Sequence, residues 1–296
     1  MISLRQLRYF HALAASRHFG RAAEAAGITQ PALSMQLRDL EATLGGPLVE
    51  RRPAGASLTD LGREVEARTA QILAAVRDLE EIARLHAAPL SGSMRLGIIP
   101  SVAPFLLPRL LHRAAENHPR LTLIVRETVT AQLVRELGDG GLDAIVVSLP
   151  LDGGDFDEAP AFEDAFLLAA PAGSPHAERS PALAELIEAD ELLLLEDGHC
   201  LRDQALAVCR RINPRRLRSF GATSLATVLQ LVAAGQGITL VPQLAVDAGI
   251  LADPRLRLVR FAEPEPSRTI GLAWRRNSPR AADFRALAEL VRAAVA

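Results

Sequence analysis

From residue 94 to residue 149, short apolar runs alternate with longer amphipathic stretches, and no other feature of this chain restricts its fold as much. Met94–Ile99, Leu121–Arg126 and Leu142–Leu149 read as strands; Pro104–Glu116 and Ala131–Leu137 carry apolar residues at helical spacing. A βαβαβ order favours a mostly parallel sheet, because each helix returns the chain to the end from which the next strand starts. The alternation resumes through Ala165–Ala170, Pro181–Ala189, Glu191–Leu195, Cys200–Ile212, Leu225–Ala234 and Gly237–Pro242. A last strand, Thr269–Trp274, and a last helix, Ala282–Ala294, are placed to return to the first lobe. Two α/β lobes joined by a crossover follow, and the cleft between them is the expected ligand site.

The first 60 residues have a different rhythm. Leu4, Leu7, Phe10, His11 and Ala14 share one helical face, and a short alanine-rich helix over Gly20–Ala26 is stopped by Gly27. A third helix starts at Thr29-Gln30-Pro31, with Leu33, Leu37, Leu40 and Leu44 on one face and Pro31, Ser34, Met35 and Arg38 on the face turned away. Gly45-Gly46-Pro47 breaks it, and a basic turn, Arg51-Arg52-Pro53, follows. From Thr59 to about His86 the pattern is one long helix. Thr69, Val76 and Ala83 hold one heptad position and Val65, Ile72 and Leu79 another, the seam of a dimerising helix. Ala88-Pro89-Leu90-Ser91-Gly92 reads as a linker. The expected division is a helical module over 1–58, a linker helix over 59–87, a hinge over 88–91 and an α/β domain over 92–296. Within that domain, lobe I takes 92–162 and 268–296, and lobe II takes 163–267.

Composition narrows the function. With 49% hydrophobic and 23% charged residues the chain is a folded protein. All its basic residues are arginine, and its net charge of −2 means that any nucleic-acid contact must come from a local patch. No apolar run is long enough to span a bilayer, so no membrane partner is expected. Two cysteines without a secretion signal point to a reducing cytosol, where disulfides are transient and redox-active. Their spacing fits no zinc pattern and the seven histidines do not cluster, so neither a metal site nor a cofactor is expected.

Cys200 and Cys209 stand nine residues apart in a segment that reads as helix, which separates them by about 13 Å along the axis. A disulfide needs Cα atoms about 4.4–6.8 Å apart, so if these thiols pair, the segment has to unwind. Cys200 falls where the strand Glu191–Leu195 hands over to that helix, beside His199 and Arg202, a setting that lowers a thiol pKa. Cys209 follows the apolar Ala205-Leu206-Ala207-Val208 and reads as buried.

The run Phe10-His11-Ala12-Leu13-Ala14, Arg21-Ala22-Ala23, Ile28-Thr29-Gln30-Pro31-Ala32-Leu33-Ser34, Gln36-Leu37, Leu40-Glu41, Leu44-Gly45 and Leu58-Thr59 with Gly62 resembles the LysR-type transcriptional regulators. The resemblance covers nearly all of residues 3–62. It implies an all-α winged helix-turn-helix DNA-binding domain and a long linker helix. These precede an α/β regulatory domain of two Rossmann-like lobes, like a type 2 periplasmic binding protein. By the same resemblance Gln30, Pro31, Ser34 and Arg38 approach bases and phosphates of double-stranded DNA, and Arg51 and Arg52 hold backbone phosphates. Asp39 departs from the family's basic or neutral residue. Residues 1–62 hold seven arginines against five acids, a balance of +2, so affinity is expected to draw on several heads and to fall with salt.

Further blocks resemble the hydrogen peroxide-sensing OxyR branch of that family: Gly97–Pro108, Glu196–Ala205, Ala222–Leu225 with Ala233–Leu240, and Arg268–Leu272. The resemblance implies that peroxide oxidises Cys200 and that Cys209 resolves the sulfenic acid as a disulfide. Ser101, Thr130, His199, Arg202, Asp203 and Arg268 would then form the peroxide pocket. The family usually has threonine where Ser101 stands. Partners implied are a second copy in a dimer of dimers, RNA polymerase and cellular thiol reductants. Two other readings remain open on residue chemistry alone: a regulator governed by a small organic effector in the interlobe cleft, and a thiol peroxidase or ligand-binding enzyme built on the same lobes.

Overall fold

The computed structural model describes residues 1–52, 55–85, 90–151, 153–177, 192–196, 201–202, 204, 217–219, 221–250 and 253–296. The helix expected over Pro181–Ala189 and most of that over Cys200–Ile212 lie outside the described residues. The chain divides into two compact units, one of residues 1–84 with 138–141 and one of 85–137 with 142–296.

In the first unit, helices α1 (Leu4–Ser16), α2 (Phe19–Ala25) and α3 (Gln30–Leu44) precede strands β1 (Val49–Arg52) and β2 (Gly55–Leu58) and the long helix α4 (Asp60–Leu85). Each start and stop has a local cause. Ser3 and Gln6 form a reciprocal capping box on α1, and the His18 ring accepts from the Gly20 and Arg21 amides at the start of α2. Gly27 takes a φ of +64° just past α2, a conformation that costs an L side chain energy. Leu7, Phe10, Leu13, Phe19, Leu33, Leu37, Leu40 and Leu48 form the core. At about 1.5–3 kcal/mol for each large side chain, their burial supplies most of the driving force for this unit.

Two expectations change here. Arg51 and Arg52 lie on β1 in an antiparallel pair with β2, with Arg51 opposite Ala56, rather than in a turn. The wing is therefore a true hairpin, and Glu41 anchors it by accepting from the Leu48 and Val49 amides at 2.8 and 3.3 Å. On α4 the expected heptad rows do not hold as two faces. Thr69 is 1% exposed and Val65 packs against the core, whereas Ile72 and Leu79 are 44% and 67% exposed. Ile72 and Leu79 therefore face outward, while Val65, in the same row, is drawn into the unit's own interior.

The second unit opens with β3 (Gly92–Ile98), α5 (Ala103–Asn117), β4 (Leu121–Glu127), α6 (Thr130–Gly138) and β5 (Ala144–Leu149). β3 pairs in parallel with both β4 and β5, as the βαβαβ order requires. The next strand, β6 (Phe156–Pro171), is far longer than the sequence suggests, and it makes the sheet mixed. Residues 156–165 of β6 pair antiparallel with β11 (Ser267–Arg275), which continues antiparallel onto β5. Residues 166–171 pair instead with β9 (Thr239–Pro242) and β10 (Leu256–Arg260). β6 is thus one strap running through both lobes, bent by a register shift opposite Gly271, where an added Cβ would stand 2.5 Å from the Ala159 carbonyl.

Each lobe has its own core. Lobe I buries Met94, Leu96, Ile98, Leu106, Leu133, Val146, Trp274 and Phe284, with α9 (Ala281–Val295) closing over it. Lobe II buries Phe166, Leu168, Leu192–Leu195, Val228, Leu229, Leu240 and Val241 around β7 (Leu192–Leu194), which pairs in parallel with β8 (Leu217–Ser219), and α7 (Leu225–Ala233). The short helix α8 (Gln243–Asp247) follows β9. The end of the expected linker is fixed rather than loose: Leu90 is 2% exposed, and its amide donates to Asp283 at 3.1 Å. Among the described residues no helix is long and apolar enough to cross a membrane, and no cluster of histidine, cysteine and carboxylates is placed to hold a metal.

Candidate functional site

The centre of the second unit is the guanidinium of Arg268. Its residue sits on β11 directly opposite Asp164 of β6, so strand register alone puts the two side chains on one face. Both side chains are almost fully buried, 2% and 1% exposed. Nε and Nη2 donate to Asp164 Oδ2 at 3.0 and 2.9 Å. Nη1 donates to Ser101 Oγ at 2.9 Å and to Gln204 Oε1 at 3.0 Å, and Nη2 also reaches the Ser101 carbonyl at 3.4 Å. All five N–H groups of the arginine are thereby used. The Phe166 ring lies 5.5 Å away, within cation–π range.

The other oxygen of Asp164 accepts from the Leu244 amide at 2.9 Å, in the first turn of α8. One buried ion pair therefore ties together the turn after β3, both crossing strands, the start of α8 and the helical turn that holds Gln204. A buried pair like this stabilises little in net terms against a packed apolar alternative, yet removing one partner is costly. Its use is positional: it fixes a positive donor set at a defined place.

The sequence-predicted residues divide. Ser101, 5% exposed, and Arg268 are brought together. Thr130 starts α6 after β4, with its hydroxyl buried and without a hydrogen-bond partner among the described residues. Arg202 is not on the Arg268 centre through any described contact; its Nη1 donates to the Leu195 carbonyl at 3.2 Å, holding the end of β7. His199, Cys200, Asp203 and Cys209 lie outside the described residues. Asp164 and Gln204 were missed as site residues. The signal for Asp164 was indirect: an arginine entering the apolar strand Thr269–Trp274 needs a buried acid, and only the fold says which.

In the first unit Gln30, Pro31 and Arg38 are exposed on α3, but Ser34 is 7% exposed. It faces a hollow of about 390 Å³ shared with Phe19, Leu37, Glu41 and Val49, which corrects its assignment to the outward face. Its carbonyl accepts from Arg38 Nε at 3.2 Å, so Ser34 aims that arginine. Arg51 and Arg52 follow on β1, and their side chains lie outside the description. One histidine in this unit is perturbed: His11 on α1 meets Glu66 of α4 at 2.6 Å, and that hydrogen bond raises its pKa above the ordinary histidine value.

Comparison with known proteins gives a consistent result. The profile of the bacterial regulatory helix-turn-helix protein, lysR family, matches residues 4–63, and that of the LysR substrate binding domain matches residues 87–296. A probable hydrogen peroxide-inducible genes activator of Streptomyces viridosporus is 41% identical over 294 residues, 99% of this chain and 94% of that protein. The DNA-binding transcriptional dual regulator OxyR of Escherichia coli K12 is 39% identical over 292 residues, 99% and 95% of the two chains. Among solved structures, a full-length OxyR cysteine-to-aspartate variant from Pseudomonas aeruginosa superposes with a TM-score of 0.83 at 32% identity, covering 99% of this chain and 95% of that one. A Corynebacterium glutamicum OxyR cysteine-to-serine variant with hydrogen peroxide bound gives 0.69 at 36% identity, covering 99% and 92%.

Proposed function

This chain belongs to the LysR family of bacterial transcriptional regulators, in the group of the hydrogen peroxide-inducible gene activators, and from that membership we propose that it senses peroxide through Cys200 and relays the signal to DNA. The observation that carries the reading is Arg268, bonded at once to Ser101 and to Gln204, four residues beyond Cys200. A buried cation held at the thiol-bearing segment stabilises a thiolate and the negative charge that leaves when a peroxide bond breaks. Thr130, whose hydroxyl has no hydrogen-bond partner among the described residues, and Ser101 supply donors for the peroxide; His199, Arg202 and Asp203 complete the polar surroundings.

In this mechanism the Cys200 thiolate attacks one peroxide oxygen, the O–O bond breaks, and hydroxide leaves and is protonated to water. Cys209 then displaces the sulfenic oxygen as a second water, and the two sulfurs join. The helix that the sequence predicts over Cys200–Ile212 cannot hold that bond, so in this mechanism the segment unwinds and Gln204 leaves Arg268. The reaction runs once per activation, which makes the protein a switch rather than a turnover enzyme, and cytoplasmic thiol reductants reset it. Ile72 and Leu79, exposed on α4, fit a second copy, and a dimer of dimers placing several heads on DNA compensates for the modest charge of each. Gln30, Pro31 and Arg38 read the duplex, Arg51 and Arg52 hold its backbone, and the activated assembly engages RNA polymerase.

The test is a stoichiometric peroxide pulse followed by mass spectrometry, with DNA footprinting of the reduced and oxidised forms. A Cys200–Cys209 bridge and a changed footprint are expected. Cys200→Ser is expected to abolish both, and Cys209→Ser to stop at the sulfenic acid. An unchanged footprint on oxidation overturns the reading.

A further inference from the structure

On the outward face of α3 one large side chain has no part in the reading given above. Met35 is 53% exposed. It stands one turn after Pro31 and three residues before Arg38, so at 100° per residue the three fall within an arc of about 60°. Leu33, Leu37 and Leu40 occupy the opposite face and are packed into the core. A single exposed methionine on an arbitrary surface needs no explanation. Here the helix is the second of the helix-turn-helix that the lysR-family profile matches, the element such a motif lays in the major groove. Arg38 keeps its place beside Met35, because its Nε donates to the Ser34 carbonyl at 3.2 Å and draws the guanidinium back along the helix.

A thioether has no N–H or O–H to donate and is a weak acceptor, so it cannot read the polar edges of base pairs or hold a phosphate. The major groove offers it one apolar group, the C5 methyl of thymine. From this we infer that Met35 is a specificity-determining residue, packing against the C5 methyl of one thymine in each half-site between the contacts of Pro31 and Arg38. The inference rests on the reading above in which α3 reads the duplex. Charge along the helix gives such a contact weight. Asp39 is exposed next to Arg38 and offsets its attraction for phosphates, so this stretch of α3 gains little from electrostatics. The long unbranched side chain of methionine adapts its shape to the group it covers. Burying one methyl is worth about fourfold in affinity. No counterion is released by that burial, so its effect does not fade with salt as a phosphate contact does.

The experiment starts from a duplex that the reduced full-length protein selects out of a random pool. Each thymine is then replaced in turn by deoxyuridine, at the equivalent position of every half-site, which removes the C5 methyl and leaves base pairing intact. Affinities are measured for the parent, Met35→Ala, Met35→Leu and Arg38→Ala. In the parent, one thymine position is expected to lose about fourfold per substituted half-site. Met35→Ala should bind the thymine and deoxyuridine duplexes within about 1.5-fold of one another, and Met35→Leu should keep at least a twofold difference. Arg38→Ala should weaken binding to both duplexes and keep their ratio. That ratio should hold between about 50 and 200 mM salt while the affinities themselves fall. If no thymine methyl matters, or if every one that matters keeps its effect in Met35→Ala, the inference is overturned and the reading of α3 stands. A ratio that Arg38→Ala abolishes as completely as Met35→Ala overturns it too. If the parent selects no sequence from the pool, the reading of α3 falls and this inference falls with it.

Discussion

Two buried arginine–aspartate pairs in the second unit look alike chemically and do different work. Arg280 and Asp283 sit one turn apart at the start of α9, 4% and 3% exposed and 3.2 Å from one another. Among the described residues, their other hydrogen bonds include backbone groups where the chain enters β3: the Ser93 and Ser91 carbonyls take Arg280, and Asp283 takes the Leu90 amide, while the Phe284 ring lies 6.0 Å from the guanidinium. That is a closed clamp inside lobe I. Arg268 and Asp164 lie on different strands 104 residues apart, and their partners belong to the turn after β3, to α8 and to the Gln204 turn. Burial gives both pairs the same stake in being complete. Among the described residues, the second pair has a side-chain partner, Gln204, in the segment that carries Cys200, so it is placed to register what happens there.

The largest expected effects test this contrast directly. Asp283→Ala and Asp164→Ala each strand a buried guanidinium, and each should cost about 3–5 kcal/mol of stability. Denaturant unfolding followed by the fluorescence of Trp274, the chain's single tryptophan and 1% exposed, measures both. The variants should part company in the peroxide reaction: Asp164→Ala slows Cys200 oxidation at least tenfold and shifts its pH profile upward, while Asp283→Ala leaves rate and profile near the parent's. Asp164→Glu should recover part of the rate. If both alanine variants slow oxidation equally, the two pairs are only structural and the distinction is lost.

A smaller step removes one acceptor from the Arg268 centre. Ser101→Ala leaves a charged N–H without its partner, at an expected cost of about 1.5–3 kcal/mol, and should slow Cys200 oxidation. Ser101→Thr keeps the hydroxyl and adds a methyl that restricts its rotamer, so the rate should hold or rise. A drop in Ser101→Thr equal to that in Ser101→Ala places the effect in packing rather than in the hydrogen bond.

Periodic elements were legible in the sequence, and long-range pairings were not. β3, β4, β5, α5 and α6 all fall within a few residues of where apolar spacing puts them, because each buries a face that its own sequence defines. The first half of β6 was invisible. Phe156–Asp164 carries Asp157, Glu158, Pro160 and Glu163, so no apolar run marks it; pairing with β11 makes it a strand. β1 and β2, four residues each, are too short to show a period, which is why Arg51 and Arg52 read as a turn. Ser34 was misplaced because a helical wheel knows one helix, whereas α2 and the wing hairpin both close over α3. For the site, motif resemblance reached Ser101 and Arg268, residues near recognisable blocks. Asp164 had no such block, and its role exists only through register.

The His11–Glu66 contact sharpens the comparison from the other side, since it too ties two elements by a charged hydrogen bond but stands half in water, its side chains 43% and 22% exposed. The Glu66 hydrogen bond raises the His11 pKa above 6.5; burial, and Arg77 more weakly, pull the other way. A raised folded-state pKa contributes stability that is fully present below the unfolded value and is lost as pH rises through the folded one. Thermal unfolding of the full chain should therefore show a component that falls as pH climbs from below 6.5 through that raised value, and His11→Gln should remove it. Solvent screening limits the contribution to about 0.2–1 kcal/mol, or at most about 2–4 °C in Tm, well below either buried pair. If burial is what separates a strong tie from a weak one, this step stays small and shrinks further in salt. A loss as large as that of Asp283→Ala would mean that the number of elements joined, not desolvation, sets the scale for all three contacts.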